Sequence, residues 1–399
     1  MIKIESLDHY GRGISKIDGK IAFIENALPN EIVEVKIDKN KKKYIEGSVL
    51  KYIEKSKERI NVDCPYYDSC GGCNIMHLSY DDQLKFKQRK IENIIKKYLN
   101  QDIKVNHIIG SDTNINYRNK VTFQVKESIG FYKNKTYDII SVNNCLISDE
   151  LINNSIKYLK ELELKNINKI TCRTNSNKLM IIIETNNKNL DISPIKNIAD
   201  SIYLKINNKF IHLYGNKNIY EELDNYKYII SPNSFFQVNI DICLKLYNKI
   251  KKYVGKNKNI IDLYCGTGSI GIFISENNNV IGIEINESAI SDANINKEIN
   301  NLNNINFICG DSGKKLKDLN LNPDVIIVDP PRNGLNPETI KNILEFSPKE
   351  IIYVSCDPMT LVRDLNILSE YYKIKEITPF DMFPNTYHVE SLTYLKKKM

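Results

Sequence analysis

Apolar and polar positions change rhythm twice along the chain. Up to about residue 56, short alternating runs are broken by Gly11, Gly13, Gly19 and a Pro29-Asn30 turn, which predicts the short strands of a small β-barrel. The stretch from 57 to 240 is mixed. Tyr80–Tyr98 places Leu84, Ile91, Ile94 and Ile95 at helical spacing, whereas 114–132 and 178–184 alternate or run apolar as strands do. From 241 to 399 short apolar strands (Asn259–Leu263, 280–285, 305–308, 324–328 and 351–355) alternate with amphipathic stretches of helical period. That rhythm predicts a doubly wound parallel sheet, hence three units at 1–56, 57–240 and 241–399. Ligands of such sheets collect beyond the carboxyl ends of the strands.

The bulk properties narrow the picture only a little. In 399 residues, 42% of them hydrophobic, there is material for several packed cores. Neither an early targeting pattern nor a bilayer-length apolar run is visible, so the expected compartment is the cytosol and no membrane partner is expected. A formal charge of +7 favours a polyanionic partner. Nine cysteines in a reducing compartment argue against a disulfide scaffold, and three of them, Cys64, Cys70 and Cys73, fall within ten residues.

The chemistry gathers at predicted strand ends. Ile260 to Gly271 reads as a buried strand running through Asp262, Tyr264, Gly266 and Gly268 into a helix, where glycines let a ligand approach the backbone and Asp262 can meet a cationic cofactor end. Glu284 ends the next strand 22 residues later, a distance suited to accepting hydrogen bonds from ribose hydroxyls. Asp311, suited to an adenine amino group, ends the third strand, and Asp329 ends the fourth ahead of Pro330-Pro331-Arg332.

These motifs resemble those of the class I RNA uracil-5-methyltransferases, and the resemblance extends from the N-terminal strands to Glu390. The Gly11-Arg12-Gly13 stretch with the basic run at 39–43 resembles a TRAM domain, an OB-like RNA-binding barrel. The implied fold is therefore α/β: a class I, Rossmann-like methyltransferase domain with that barrel in front and a mixed α+β central domain. S-adenosylmethionine is the implied cofactor. In the family Gln237, within Phe235-Phe236-Gln237-Val238-Asn239, also reaches it, as do the positions of Tyr264, Glu284 and Asp329. Phe235 and Phe236 are candidate walls of the base pocket.

Carbon 5 of uracil is too weak a nucleophile to be methylated until something adds to carbon 6, and a thiolate does this well. Cys356, in Ser355-Cys356-Asp357-Pro358 at the carboxyl end of a predicted strand, is the candidate, and it matches the family's motif. The carbon-5 proton then needs a base. The resemblance points to Glu390, which follows Phe380-Asp381-Met382-Phe383-Pro384, with His388 as its rival.

Cys64, Cys70 and Cys73 would form a closed metal site with a fourth thiolate, and Cys145 is the best candidate. Spacing leaves zinc and iron-sulfur open; the resemblance implies a structural [4Fe-4S] cluster. The remaining Cys172, Cys243, Cys265 and Cys309 are expected in the core or loops. Relatives with both barrel and cluster cysteines act mostly on large-subunit ribosomal RNA, so 23S rRNA is the expected partner, with transfer RNA as the alternative and no obligate protein partner. An amine methyltransferase would leave Cys356 and Glu390 without work, and a non-catalytic RNA-binding assembly factor would not depend on Cys356.

Overall fold

The computed structural model describes residues 1–399 apart from 100, 176, 320 and 399. Six strands between Ile2 and Glu54 curl around a small core of Ile4, Ala22, Ile24, Ala27, Val33 and Ile45. Asp18 and Gly19, both at positive φ, make the tight reversal between Gly13–Ile17 and Lys20–Glu25, as an Asp-Gly pair between alternating runs should.

Helix α1 (Tyr80–Tyr98) starts where the Ser79 hydroxyl accepts the Asp82 N–H, and it carries Asp81 and Asp82 in its first turn and Lys96 and Lys97 in its last. Its apolar stripe, Ile91, Ile94 and Ile95, packs in the same core as Ile261, Val328 and Ile351. This helix, central in sequence, thus packs against the C-terminal sheet.

The stretch 114–132 resolves into strand β1 (Lys120–Val125) and a hairpin partner, Ile129–Tyr132. With β2 (Ile167–Asn175) and four further strands they form a seven-stranded sheet. Along β1, Val121, Phe123 and Val125 face a core shared with helix Glu150–Leu159, while Lys120, Thr122 and Gln124 face the opposite way.

The C-terminal sheet contains β3 (Asn259–Leu263), β4 (Asn279–Glu284), β5 (Ile305–Cys309), β6 (Val325–Val328), β7 (Glu350–Ser355), β8 (Tyr372–Phe380) and β9 (Glu390–Lys397) in the order β5-β4-β3-β6-β7-β9-β8. The first five are parallel. Beyond the parallel sheet that the sequence predicts, β9 runs antiparallel between β7 and β8. Buried Ser391 and Thr393 mask β9 as a polar tail in the sequence, yet it is a central strand.

Candidate active site

The glycine turn after β3 brings backbone and carboxylate together. Gly266 and Gly268 have φ of 54° and 77°, and a Cβ on Gly268 would stand 2.4 Å from the Phe307 ring, so the turn admits nothing larger there. Asp262 is fully buried; one carboxylate oxygen accepts the Gly271 N–H at 3.1 Å and the other, Oδ1, has no partner. Burial, reinforced by Asp329, pushes its carboxyl up to about 8. A buried, unmet carboxylate oxygen beside a glycine turn suits a cationic group.

The other strand-end acids lie around the same turn and also hold it in shape. Glu284 accepts N–H groups from Gly266 at 3.2 Å and Asn286 at 2.9 Å, leaving lone pairs for hydroxyls. Asp311 caps the short helix Ser312–Lys317 through Lys314 N–H. Tyr264, at φ 63°, reaches the Thr339 hydroxyl at 3.2 Å. Asp329, behind β6, is pushed up to about 7 by burial.

Gln237 arrives on a loop gripped by the central sheet. Arg173 of β2, only 3% exposed, donates to the carbonyls of Ser234 at 2.5 Å and Ser231 at 3.3 Å, and the Asn119 amide donates to the Gln237 carbonyl. Arg173 was invisible in the sequence, because the same strand also carries Lys169, Asn168 and Asn175 and nothing local sets its charge apart. Of the two candidate wall aromatics, Phe236 belongs to the core beside Tyr228 and is no pocket wall, while Phe235 is exposed.

The register of the sheet edge brings Cys356 and Glu390 together. Ser355, the last residue of β7, faces Ser391 of β9, so the next residue of one strand, Cys356, lies beside the preceding residue of the other, Glu390. The Ser-Cys-Asp-Pro motif has a local cause. Asp357 caps helix Pro358–Leu368 by accepting the Met359 and Thr360 N–H groups, and Pro358 begins that helix, which leaves Cys356 half-buried at the turn between strand and helix.

Burial pushes the Cys356 thiol up to about 12, with Glu390 and Asp329 adding to it and Arg332 opposing. Glu390 is buried and is pushed well above the usual carboxylate range by that burial and by Asp329, again opposed by Arg332. Burial thus favours the protonated form of both groups, and Arg332 is the cation that favours ionising each. His388 is pushed down to about 4 by burial and then by Arg332, Lys90 and Lys87; it is neutral at pH 7 and packs against Tyr387 and Phe383.

Helix α1 fixes the loop leading to Glu390. Its buried Lys87 ammonium donates to Asp381 at 2.5 Å and to the Phe383 carbonyl at 2.9 Å, Gln83 and Asn385 exchange two hydrogen bonds, and Lys90 donates to the Tyr387 carbonyl.

Cys64, Cys70, Cys73 and Cys145 carry free thiols and line a cavity of about 770 Å³ that Arg332, Phe383, Thr386 and His388 also line. Burial raises the thiols of Cys64, Cys70 and Cys73, and each also feels the charge of Cys145. Among the described residues no three His, Cys, Asp or Glu side chains are grouped so that they could hold a metal ion. Of the other cysteines, Cys172, Cys243 and Cys265 are buried as expected, whereas Cys309 ends strand β5 and is exposed, neither core nor loop. Among the described residues no helix is long and apolar enough to cross a membrane.

Comparison with known proteins gives the same outline. The family model for tRNA (uracil-5-)-methyltransferase matches residues 79–398 and the TRAM domain matches residues 1–50. Curated relatives include uncharacterised RNA methyltransferases of Clostridium acetobutylicum, 37% identical over 99% of this chain and 96% of the relative, and of Staphylococcus aureus, 36% identical over 99% and 97%. Among solved structures, the tRNA (uracil-54, C5)-methyltransferase of Pyrococcus abyssi, in complex with S-adenosyl-L-homocysteine, superposes with a TM-score of 0.82. It is 30% identical and is covered over 100% of its length by 99% of this chain.

Proposed function

This chain belongs to the tRNA (uracil-5-)-methyltransferase family and begins with a TRAM domain, and from that premise we propose that it methylates carbon 5 of a uridine in 23S ribosomal RNA. In this reading Cys356 is the nucleophile and Glu390 the base. It is an S-adenosylmethionine-dependent RNA methyltransferase. The observation that carries the finer reading is the β7–β9 register, which sets a thiol and a carboxyl side by side at the carboxyl end of the sheet. S-adenosylmethionine supplies an electrophilic methyl on a cationic sulfur, and Asp262, Gln237, Tyr264, Glu284, Asp311 and Asp329 with the turn at Gly266 and Gly268 would hold it. The unpartnered Oδ1 of Asp262 fits such a guest.

The residues' part is covalent. The Cys356 thiolate adds to carbon 6, forming a C–S bond and moving an electron pair toward carbon 5, the atom to be methylated. Once the methyl is in place, the Glu390 carboxylate takes the carbon-5 proton. The electrons of that C–H bond restore the 5,6 double bond as the C–S bond breaks and the thiolate leaves. Arg332 favours the ionised form of both residues.

Cys64, Cys70, Cys73 and Cys145 would hold a [4Fe-4S] cluster. Four thiols lining one cavity are the donor set such a cluster takes, and a cluster of several irons suits thiols that line a space. It would act structurally, fixing a segment that shares the cavity with Arg332 and His388.

Ribosomal RNA is favoured by the family resemblance, which implies it for members combining the barrel with these cysteines; transfer RNA is the second reading, favoured by the likeness to the Pyrococcus enzyme. The test is tritium release from RNA labelled at uridine carbon 5. With ribosomal RNA, the parent protein releases tritium and Cys356→Ala does not, while Glu390→Gln traps RNA covalently on the protein. Release from transfer RNA alone would select the second reading, and methyl incorporation without release would refute carbon-5 chemistry.

A further inference from the structure

The cavity that the thiols share with Arg332 has a lopsided lining. Arg118, Lys120, Lys133, Lys135 and Arg332 border it, and no Asp or Glu does among the described residues. Two of these cations are already neutralised: Lys133 lies 3.9 Å from Asp138, and Lys135 pairs with Glu25 of the barrel at 2.7 Å. Arg118 neighbours Cys73 and so can answer the charge of the thiols. Lys120 and Arg332 have no ion-pair partner among the described residues, and Lys120, paired across the ladder with Arg173, also feels the charge of Arg118. Burial first, and then the charges of Arg173 and Arg118, hold Lys120 down to about 8.

Lys120 belongs to a comb. On the solvent side of β1 it is followed by Thr122 and Gln124, repeating about every 6.8 Å. Across the ladder, Thr171 of β2 pairs with Thr122 and exposed Lys169 pairs with Gln124, so a second unpaired lysine stands about 14 Å along the strand from Lys120. Hydroxyl and amide groups between two cations offer both donors and acceptors. That chemistry suits phosphates together with base edges or 2′-hydroxyls, whereas a duplex would present mainly its phosphates and sugars.

We propose that Lys120, Thr122, Gln124 and Lys169, with Arg332 at the pocket mouth, form the track that holds the unpaired RNA strand flanking the target uridine. The proposal rests on the RNA-methylating reading above and adds a direction to it. The strand leaves the catalytic pocket past Arg332 and runs over the central sheet, on the side of the thiols.

The test measures binding of a short labelled oligouridylate, and of a duplex of equal length, to the full protein, to Lys120→Gln and to Lys169→Gln over a series of salt concentrations. Iron content is measured alongside. Lys169 is exposed and remote from the thiols, so its variant keeps the test informative if Lys120→Gln folds poorly. Each substitution is expected to weaken single-strand binding about tenfold at low salt, and to reduce the slope of log affinity against log salt by about 0.7. Duplex binding should change less. Unchanged slopes in both variants would overturn the track, as would loss of iron from Lys120→Gln with parental RNA binding, since its lysine would then serve the thiols. The parent's tritium release separates the two claims. Release with unchanged slopes removes the track alone, and altered slopes without release remove only the uracil reading.

Discussion

At the scale of single residues, the site is defined by groups held out of their usual protonation state. Asp262 and Asp329 are pushed up to about 8 and about 7 inside the folded chain. A carboxyl raised on folding binds its proton more tightly in the native state, so its contribution to stability is full at low pH and is lost as pH rises toward the folded value. The ligand-free protein should therefore lose thermal stability between about pH 4 and pH 8. Cationic S-adenosylmethionine should raise the melting temperature more at pH 8 than at pH 5. Asp262→Asn should raise the ligand-free melting temperature at pH 8 by about 3 °C or more, and abolish the response to cofactor. Thermal melts at the two pH values check both. Arg332 acts in the opposite sense on Cys356 and Glu390, whose reactive forms in the proposed mechanism are both deprotonated. Activity should fall as pH drops. Arg332→Ala should move that acid limb to higher pH and lower kcat/KM at neutral pH by about tenfold, read from tritium-release rates across pH.

At the scale of elements, α1 acts as a brace for the catalytic loop. The Lys87–Asp381 pair is fully buried, so removing one partner leaves an uncompensated charge in the interior. Lys87→Met should cost about 3 to 5 kcal/mol in denaturant unfolding, and the double change Lys87→Met with Asp381→Leu should recover much of it. The helix itself was legible to the residue, because Ser79, the first-turn acids and the apolar spacing agree on one answer. Its partner was not. A stripe of isoleucines states that something will cover it, and only the folded chain shows that the cover is the C-terminal sheet. The same limit applied to β9, whose alternation is blurred because it is buried on both faces and carries hydroxyls inside.

At the scale of the whole molecule, the central unit and the C-terminal domain share one cavity, and the barrel is tied to both. Tyr10 of the barrel packs edge-on against Tyr387 at 5.2 Å, Lys135 of the central unit pairs with Glu25, and Arg173 grips the loop of Gln237. If the four thiols hold a structural cluster, Cys73→Ser should lose iron, unfold at lower temperature and bind RNA more weakly, while S-adenosylmethionine affinity stays near parental. Iron assay, melting and calorimetry check this. The sequence by itself determined the kinds of chemistry and the places where strands end, because glycine turns, helix caps and alternating apolar runs are short-range matters of backbone conformation and burial. Tertiary structure alone decided that Glu390 stands beside Cys356, that Phe236 is core and that Arg173 grips the loop carrying Gln237. Those facts depend on strand order and register between segments far apart in the chain, and local pattern carries no record of which distant segment will supply the neighbour.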